Sequence, residues 1–200
     1  MLHSPAWGDM REAKTQDHPM NTSHPDLRFV ACTFERHAAA ILGIFNDAIE
    51  TSTALYDYKA RTMDHMDTWF QAKRQGNLPV IGIEDEAGAL LGFCSWAPFR
   101  PHPAYKYTAE HSVYIHRDHR GRGLGRLLMN ALIDAARQSD RVHTLIGAID
   151  AANEGSIALH ERLGFRHAGT LPQVGFKFGR WLDLALYQLT LETPAQPVDG

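Results

Sequence analysis

The run Val113-Tyr114-Ile115-His116-Arg117-Asp118-His119-Arg120-Gly121-Arg122-Gly123-Leu124-Gly125 limits the folds open to this chain more than any other. An extended, β-forming segment enters a loop with three glycines and three arginines, and the loop opens directly into a helical pattern. Leu124, Leu127, Leu128, Ala131, Leu132 and Ala135 then recur at the spacing of one helix face. Glycines let main-chain N–H groups turn inward and come close to a ligand. A helix start adds unpaired donors and partial positive charge. Strand, loop and helix together make a cradle suited to a phosphate or pyrophosphate. The glycine spacing does not fit the G-x-G-x-x-G dinucleotide pattern, and no Gly-Lys-Ser/Thr triplet follows. Taken alone, the loop also reads as a basic, solvated surface turn.

At 200 residues the chain is long enough for one domain with a substantial core. Its formal net charge of −3 gives no electrostatic case for nucleic acid as a partner. No run of about 18 apolar residues is present, so no membrane span is expected. The N-terminus lacks the apolar stretch of a secretory signal. Cys32 and Cys94 sit among apolar residues outside any C-x-x-C pair, which predicts buried free thiols in a cytoplasmic protein. Among the 12 histidines, His116 and His119 stand at i, i+3 on a strand-to-loop segment. No H-E-x-x-H or Cys/His ligand cluster occurs, so no metal is expected.

Residues 1–26 mix His, Pro, Asp, Ser and Met without periodicity and read as a flexible leader; 194–200 read as a short tail. Between them, residues 27–193 form the domain. Phe29–Cys32 suits a strand, and residues 35–49 a helix with Ala38, Ile41, Phe45, Ala48 and Ile49 on one face. Thr62 is placed to cap a second helix whose stripe holds Met63, Met66, Trp69, Phe70 and Lys73. Val80–Ile83 and Leu90–Ala97 are predicted strands joined by a turn over Glu84–Gly88. Pro98 to Pro103 holds three prolines and is predicted to be a loop outside any ladder. Tyr107–His116 and Val142–Ile149 are further strands, 154–163 a short helix stopped by Gly164, and Tyr187–Leu191 a closing strand. Hairpins followed by a strand–helix–strand unit predict an α/β (α+β) domain, a mixed sheet with helices on both faces.

Several segments together resemble a known family. Arg120, Gly123 and Gly125 fit the R-x-x-G-x-G pyrophosphate loop of the GCN5-related N-acetyltransferases, the GNAT family. Asn153 followed by a short helix ending in Leu163-Gly164-Phe165 resembles that family's second signature. Val174-Gly175-Phe176-Lys177-Phe178-Gly179-Arg180-Trp181-Leu182-Asp183 is similar to a stretch of the phosphinothricin and methionine-sulfone acetyltransferases. Ile44–Thr53 and Tyr107–Ile115 also match that subgroup, so the resemblance spans roughly residues 29–191. It implies the GNAT fold, a mostly antiparallel sheet whose central strands splay. It also implies acetyl-CoA as co-substrate and a small amino acid analogue as acceptor: phosphinothricin, methionine sulfone or methionine sulfoximine. Dimers formed through the last strands are common in the family. A polyamine, aminoglycoside or protein N-terminus is the alternative acceptor, and a silent acyl-CoA sensor the alternative function.

An amine must lose a proton before it can attack a thioester, so the reaction needs a base. Glu110, three residues before the segment expected to meet the cofactor, is either that base or a solvated strand carboxylate; the resemblance implies the base. It also implies that Val113, Tyr114 and Ile115 pair with pantetheine through main chain. Gly121, Arg122, Gly123, Leu124, Gly125 and Arg126 would then receive the pyrophosphate, with Arg120 adding charge. Asn153 serves pantetheine or caps the helix that follows, and Ser156 is a further cofactor contact. His160 stands where many acetyltransferases carry a Tyr; it either protonates the leaving thiolate as an imidazolium or lines the acceptor pocket. Arg100 is placed for an acceptor carboxylate, with Tyr107 and Lys177 as further candidates and Lys106 a weaker one.

Overall fold

The computed structural model describes residues 26–199, so the expected leader lies outside the described residues apart from Asp26. The first strand, β1, is Arg28–Ala31. Helix α1, Phe34–Thr51, buries Ala38, Ile41, Ile44, Phe45, Ala48 and Ile49 along one side. It stops where the Thr51 and Ser52 hydroxyls donate to the carbonyls of Asp47 and Ala48 and Ser52 turns extended. Helix α2, Met63–Gln75, starts at Thr62, whose hydroxyl accepts the His65 N–H as the sequence predicts. Strands β2 (Val80–Glu84) and β3 (Leu90–Pro98) form a hairpin. Strand β4 is Thr108–Ile115, and α3 is Leu124–Ser139. Strand β5 is Thr144–Asp150, α4 is Glu154–Arg162, β6 is Arg166–Lys177 and β7 is Arg180–Thr190.

The seven strands form one sheet in the order β1-β2-β3-β4-β5-β7-β6. Every neighbouring pair is antiparallel except β4–β5, whose parallel course requires the α3 crossover. Leu124, Leu128, Met129 and Leu132 of α3 pack on one face with Ile83, Leu91 and Leu145, and α4 joins them there. On the other face α1 and α2 enclose Val80, Leu90 and Phe93. Each fully buried side chain of this size contributes roughly 1.5–3 kcal/mol. Helices thus cover both faces of a mixed, mostly antiparallel sheet, as the sequence predicts.

One break in the sheet matters for function. Pairing between β4 and β5 runs from Thr108–Thr144 only to Glu110–Ile146. Beyond Glu110 the two strands diverge, while β4 stays paired to β3 as far as Ile115. This is the splay that the family resemblance implies.

Four expectations need correction. The closing strand begins at Arg180, not Tyr187, and pairs with β6, a strand the periodicity did not reveal. Strand β6 is solvated over most of its length and its pairing with β7 bulges at His167/Gly169 and Leu171/Gly175, so no alternation is imposed on it. Pro98 does enter the ladder, opposite Ala109, because it ends β3. Glu84 belongs to β2 rather than the turn: it is buried and bound by Arg28, Arg36 and His37. Cys94 is buried as expected, but Cys32 is half-buried; both thiols are free.

Candidate active site

The gap between β4 and β5 opens a cavity of about 310 Å³. Val113 and Tyr114 of β4, Gly147 and Asp150 of β5, and Asn153, Ser156 and His160 from the start and body of α4 line it. Residues 53–56, between α1 and α2, cover it. A second cavity of about 290 Å³ lies toward α1, α2 and the end of β3, lined by Phe45, Arg61, Trp69, Lys73, Trp96 and Pro98. Glu110, His111, Ser112, Tyr114 and Leu55 border both. The two hollows therefore meet along β4, with Glu110 at their common wall.

Strand parity decides which main-chain groups face the gap. The N–H of His116 donates to Leu91 and the carbonyl of Thr108 accepts from Phe99, so even-numbered residues of β4 turn their amides toward β3. The carbonyl of Tyr107 accepts from His143 and Thr144 on the opposite side. Val113 and Ile115 thus present N–H and C=O to the gap. Tyr114 offers it no main-chain pair, which corrects the expectation for that residue; its ring packs instead against Phe45 and Phe93.

The glycine loop has the form an anion needs. Gly121 and Gly123 sit at φ +77° and +78°, where an L side chain is strained although nothing crowds a Cβ there. Gly123 caps α3 without a side-chain acceptor, and no acidic residue occupies the first turn of α3. The Arg126 and Leu127 amides donate to the Gly123 carbonyl, which leaves those of Leu124 and Gly125 open to an outside acceptor. Arg120 and Arg117 pair with Asp47 of α1, the first at 2.7 Å, and Arg122 bonds His119 at 2.9 Å. Arg126 is exposed on α3 and Leu124 is buried beneath the loop.

Glu110 keeps access to solvent, and partial burial pushes its carboxyl above the usual carboxylate range against the opposing pull of Arg100. Lys73 is buried, donates to the Trp96 carbonyl at 2.6 Å and is brought down to about 8 by desolvation. The Arg61 guanidinium lies 4.1 Å from the centroid of the Phe45 ring and pairs with Asp57 at 3.0 Å. The Asn46 side chain brackets the main chain of residue 61 through its N–H and C=O. Asp150, nearly buried, accepts from the Thr53 hydroxyl and from Arg180, which holds its carboxyl below the usual range.

Other expected site residues stand elsewhere. Lys177 is buried and donates to the carbonyls of Ile49, Ser52 and Leu55 at 2.7, 2.9 and 2.6 Å. These contacts use all three of its protons, so it offers none to a substrate. The Tyr107 hydroxyl bonds the main chain of Val198 and borders neither cavity. Arg100 lies over the Phe99 ring and reaches Glu110 only through its field. Asn153 caps α4 by accepting the Ser156 N–H while also lining the first cavity. Both ring nitrogens of His160 are engaged, Nδ1 with the Ser156 carbonyl and Nε2 with His111, and burial lowers its pKa. In that geometry both nitrogens are occupied and the ring lines the gap cavity. Arg61 and Trp96 carried no signal of their own. Lys73 did carry one, as a lysine within the apolar stripe of α2. Among the described residues no cluster of three His, Cys, Asp or Glu side chains is placed to hold a metal, and no helix is long and apolar enough to cross a membrane.

The model of the acetyltransferase (GNAT) family matches residues 39–165. An L-methionine sulfoximine/L-methionine sulfone acetyltransferase of Pseudomonas paraeruginosa is 43% identical over 152 residues, 76% of this chain and 88% of its own length. A phosphinothricin N-acetyltransferase of Alcaligenes faecalis is 33% identical over 188 residues, 86% of this chain and 95% of its own. The structure of a GNAT superfamily phosphinothricin acetyltransferase from Sinorhizobium meliloti in complex with AcCoA is 29% identical, with a TM-score of 0.81 over 86% of this chain and 92% of that one. A splayed sheet, a glycine cradle at a helix start and a carboxylate between two hollows thus occur in a chain that belongs to the GNAT family of acetyltransferases.

Proposed function

We propose that this enzyme moves the acetyl group of acetyl-CoA to the α-amine of a small amino acid analogue, of the class of methionine sulfoximine, methionine sulfone or phosphinothricin. The observation that carries the reading is Glu110 at the wall between the two cavities. The cofactor side is the gap. The first-turn amides of α3 and Gly121–Arg126 take the pyrophosphate, and Val113 and Ile115 pair with pantetheine through N–H and C=O. Asn153 and Ser156 flank that arm. The acceptor side is the aromatic hollow, where Arg61 and Lys73 are the cations positioned for a carboxylate in place of Arg100, Tyr107 and Lys177.

Acetyl-CoA supplies an activated acyl carbon with a thiolate leaving group. Glu110, its basicity raised by partial burial, takes the proton of the acceptor ammonium. The freed amine forms the new C–N bond as the C–S bond breaks, and the proton this nitrogen sheds on becoming an amide passes to the departing thiolate, which leaves as the thiol of coenzyme A. A base of this kind contributes about 10²–10⁴-fold to the rate. The small, ring-lined acceptor hollow favours an amino acid over a peptide or a long polyamine. Leu171, Val174, Phe176, Phe178 and Trp181 expose apolar surface on the β6–β7 hairpin, which supports a homodimer through that face. Sedimentation showing a 22.4 kDa monomer alone would remove that part. The free thiols of Cys32 and Cys94 suit a reducing, cytoplasmic setting.

The test is thiol release from acetyl-CoA with a panel of methionine sulfoximine, methionine sulfone, phosphinothricin, spermidine and a tripeptide. Turnover confined to the first three is the expected result. Equal turnover of spermidine or the tripeptide would overturn the acceptor assignment, and no turnover above background with any amine would favour an acyl-CoA sensor.

A further inference from the structure

Two histidine rings close one side of the gap cavity. His111 of β4 and His160 of α4 stack with centroids 5.1 Å apart and planes 29° from parallel, and their Nε2 atoms are 2.8 Å apart. A nitrogen pair this close holds one proton between them. The other contacts decide which ring owns it. His160 Nδ1 lies 2.7 Å from the Ser156 carbonyl oxygen, which can only accept, so Nδ1 carries hydrogen. A neutral His160 is then bare at Nε2, and the donor is His111 Nε2–H. That leaves His111 Nδ1 bare, and this buried atom has no hydrogen-bond partner. Strand β5 makes room for the pair with a glycine: a Cβ on Gly147 would stand 3.0 Å from His160 Nε2 and 3.1 Å from His111 Cε1.

We propose that His111 is a positioning residue for the acetyl transfer: its Nε2–H fixes His160 in the Nδ1–H form and keeps that ring uncharged beside the reacting groups. The charge state matters because Glu110 borders the same cavity as His160. An imidazolium there would draw the Glu110 pKa down and weaken it as a base. The surroundings agree. Burial brings His111 down to about 3 and lowers His160 as well; the Ile146 carbonyl, near the His111 ring but outside hydrogen-bond geometry, opposes the effect on His111. The ionisable groups around the pair are few. Glu110 comes from β4, and Asp150, held by Thr53 and Arg180, from β5. Tyr187 comes from β7, its ring 6.4 Å from His160 and its hydroxyl on Glu161 of α4. Phe165, 5.0 Å from His160, fills the remaining side with an apolar ring.

The proton assignment stands on the ring contacts together with the burial that keeps both rings neutral; its catalytic consequence rests on the acetyl-transfer reading above. Nitrogen-15 NMR of the full chain without substrate tests the assignment separately. The wild type should show His160 as the Nδ1–H tautomer with no titration between roughly pH 6 and 8. In His111→Leu, which removes the donor to His160 Nε2 but leaves the burial, His160 should titrate at a higher pH than in the wild type, and kcat/KM should fall about fivefold more steeply from pH 8 to pH 6 than in the wild type. His111→Gln, whose amide can donate to Nε2, should restore both. A wild-type His160 that titrates near its ordinary value, or that is protonated at Nε2, would overturn the proposal. So would a His111→Leu protein with unchanged tautomer and pH profile. Should His111→Leu fail to fold, Gly147→Ala separates the rings with both histidines kept, and the same readouts decide.

Discussion

The two cavities that meet at Glu110 are built from different materials. The gap cavity is lined largely by main chain, small residues and the start of a short helix, most of them from residues 110–160, with residues 53–56 and Leu184 completing it. The acceptor cavity is lined by rings and two cations drawn from α1, the segment before α2, α2 itself, β3 and β4. On the reading proposed above, the wall of backbone amides would bind what every reaction of this type shares, a pyrophosphate and a chain of amides. A wall of side chains can differ between relatives without disturbing the fold, and the same reading assigns selectivity for the acceptor to it. Variants should therefore separate into those that affect both substrates, those that affect the acceptor and those that affect the cofactor.

The largest effect belongs to the shared wall. Glu110→Gln should lower kcat by about 10²–10⁴-fold while acetyl-CoA still binds, as titration calorimetry would show. In the wild type the acid limb of kcat/KM should lie above the ordinary carboxylate value of 4.5, because the burial that raises the Glu110 pKa keeps it protonated to higher pH. Activity is then lost as pH falls through that raised value. A limb at or below the ordinary value would mean that another group is the base. On the acceptor side, Arg61→Ala should raise the acceptor KM by about 10–100-fold, as expected for loss of a charged hydrogen bond. The KM for acetyl-CoA should not move; equal changes in both would erase the division between the cavities. On the cofactor side, Gly123→Val forces a branched residue into left-handed backbone at a cost of roughly 1–2 kcal/mol. It should raise the acetyl-CoA KM roughly tenfold and leave the ranking of acceptors intact.

The same division explains what could be read without coordinates. The cradle was legible because its parts are consecutive: Val113–Ile115, the loop glycines and the Leu124–Leu128 stripe are local patterns with local causes. The β4 carboxylate followed from its distance to that cradle. The acceptor hollow was legible only in part: Phe45, Trp69 and Phe70 read as helix rings open to either an acceptor site or the core, and Phe45 and Trp69 line the hollow, whereas Arg61, Lys73 and Trp96 join them only through tertiary packing. Lys177 shows the same limit from the other side. On a strand that is otherwise mostly solvated, nothing in the sequence separates a lysine facing water from one buried against three carbonyls. His111 likewise reads as one member of an alternating strand until α4 brings its partner across.

The Lys177 clamp also bears on the order in which the protein is made. The segment that roofs the cleft lies near residue 55, yet the ammonium that fastens it arrives more than a hundred positions later, beyond the family match that ends at 165. A nascent chain that has emerged only through that matched segment carries the cradle and the carboxylate without a secured cover. Its cleft reaches final form only after the closing hairpin has left the ribosome.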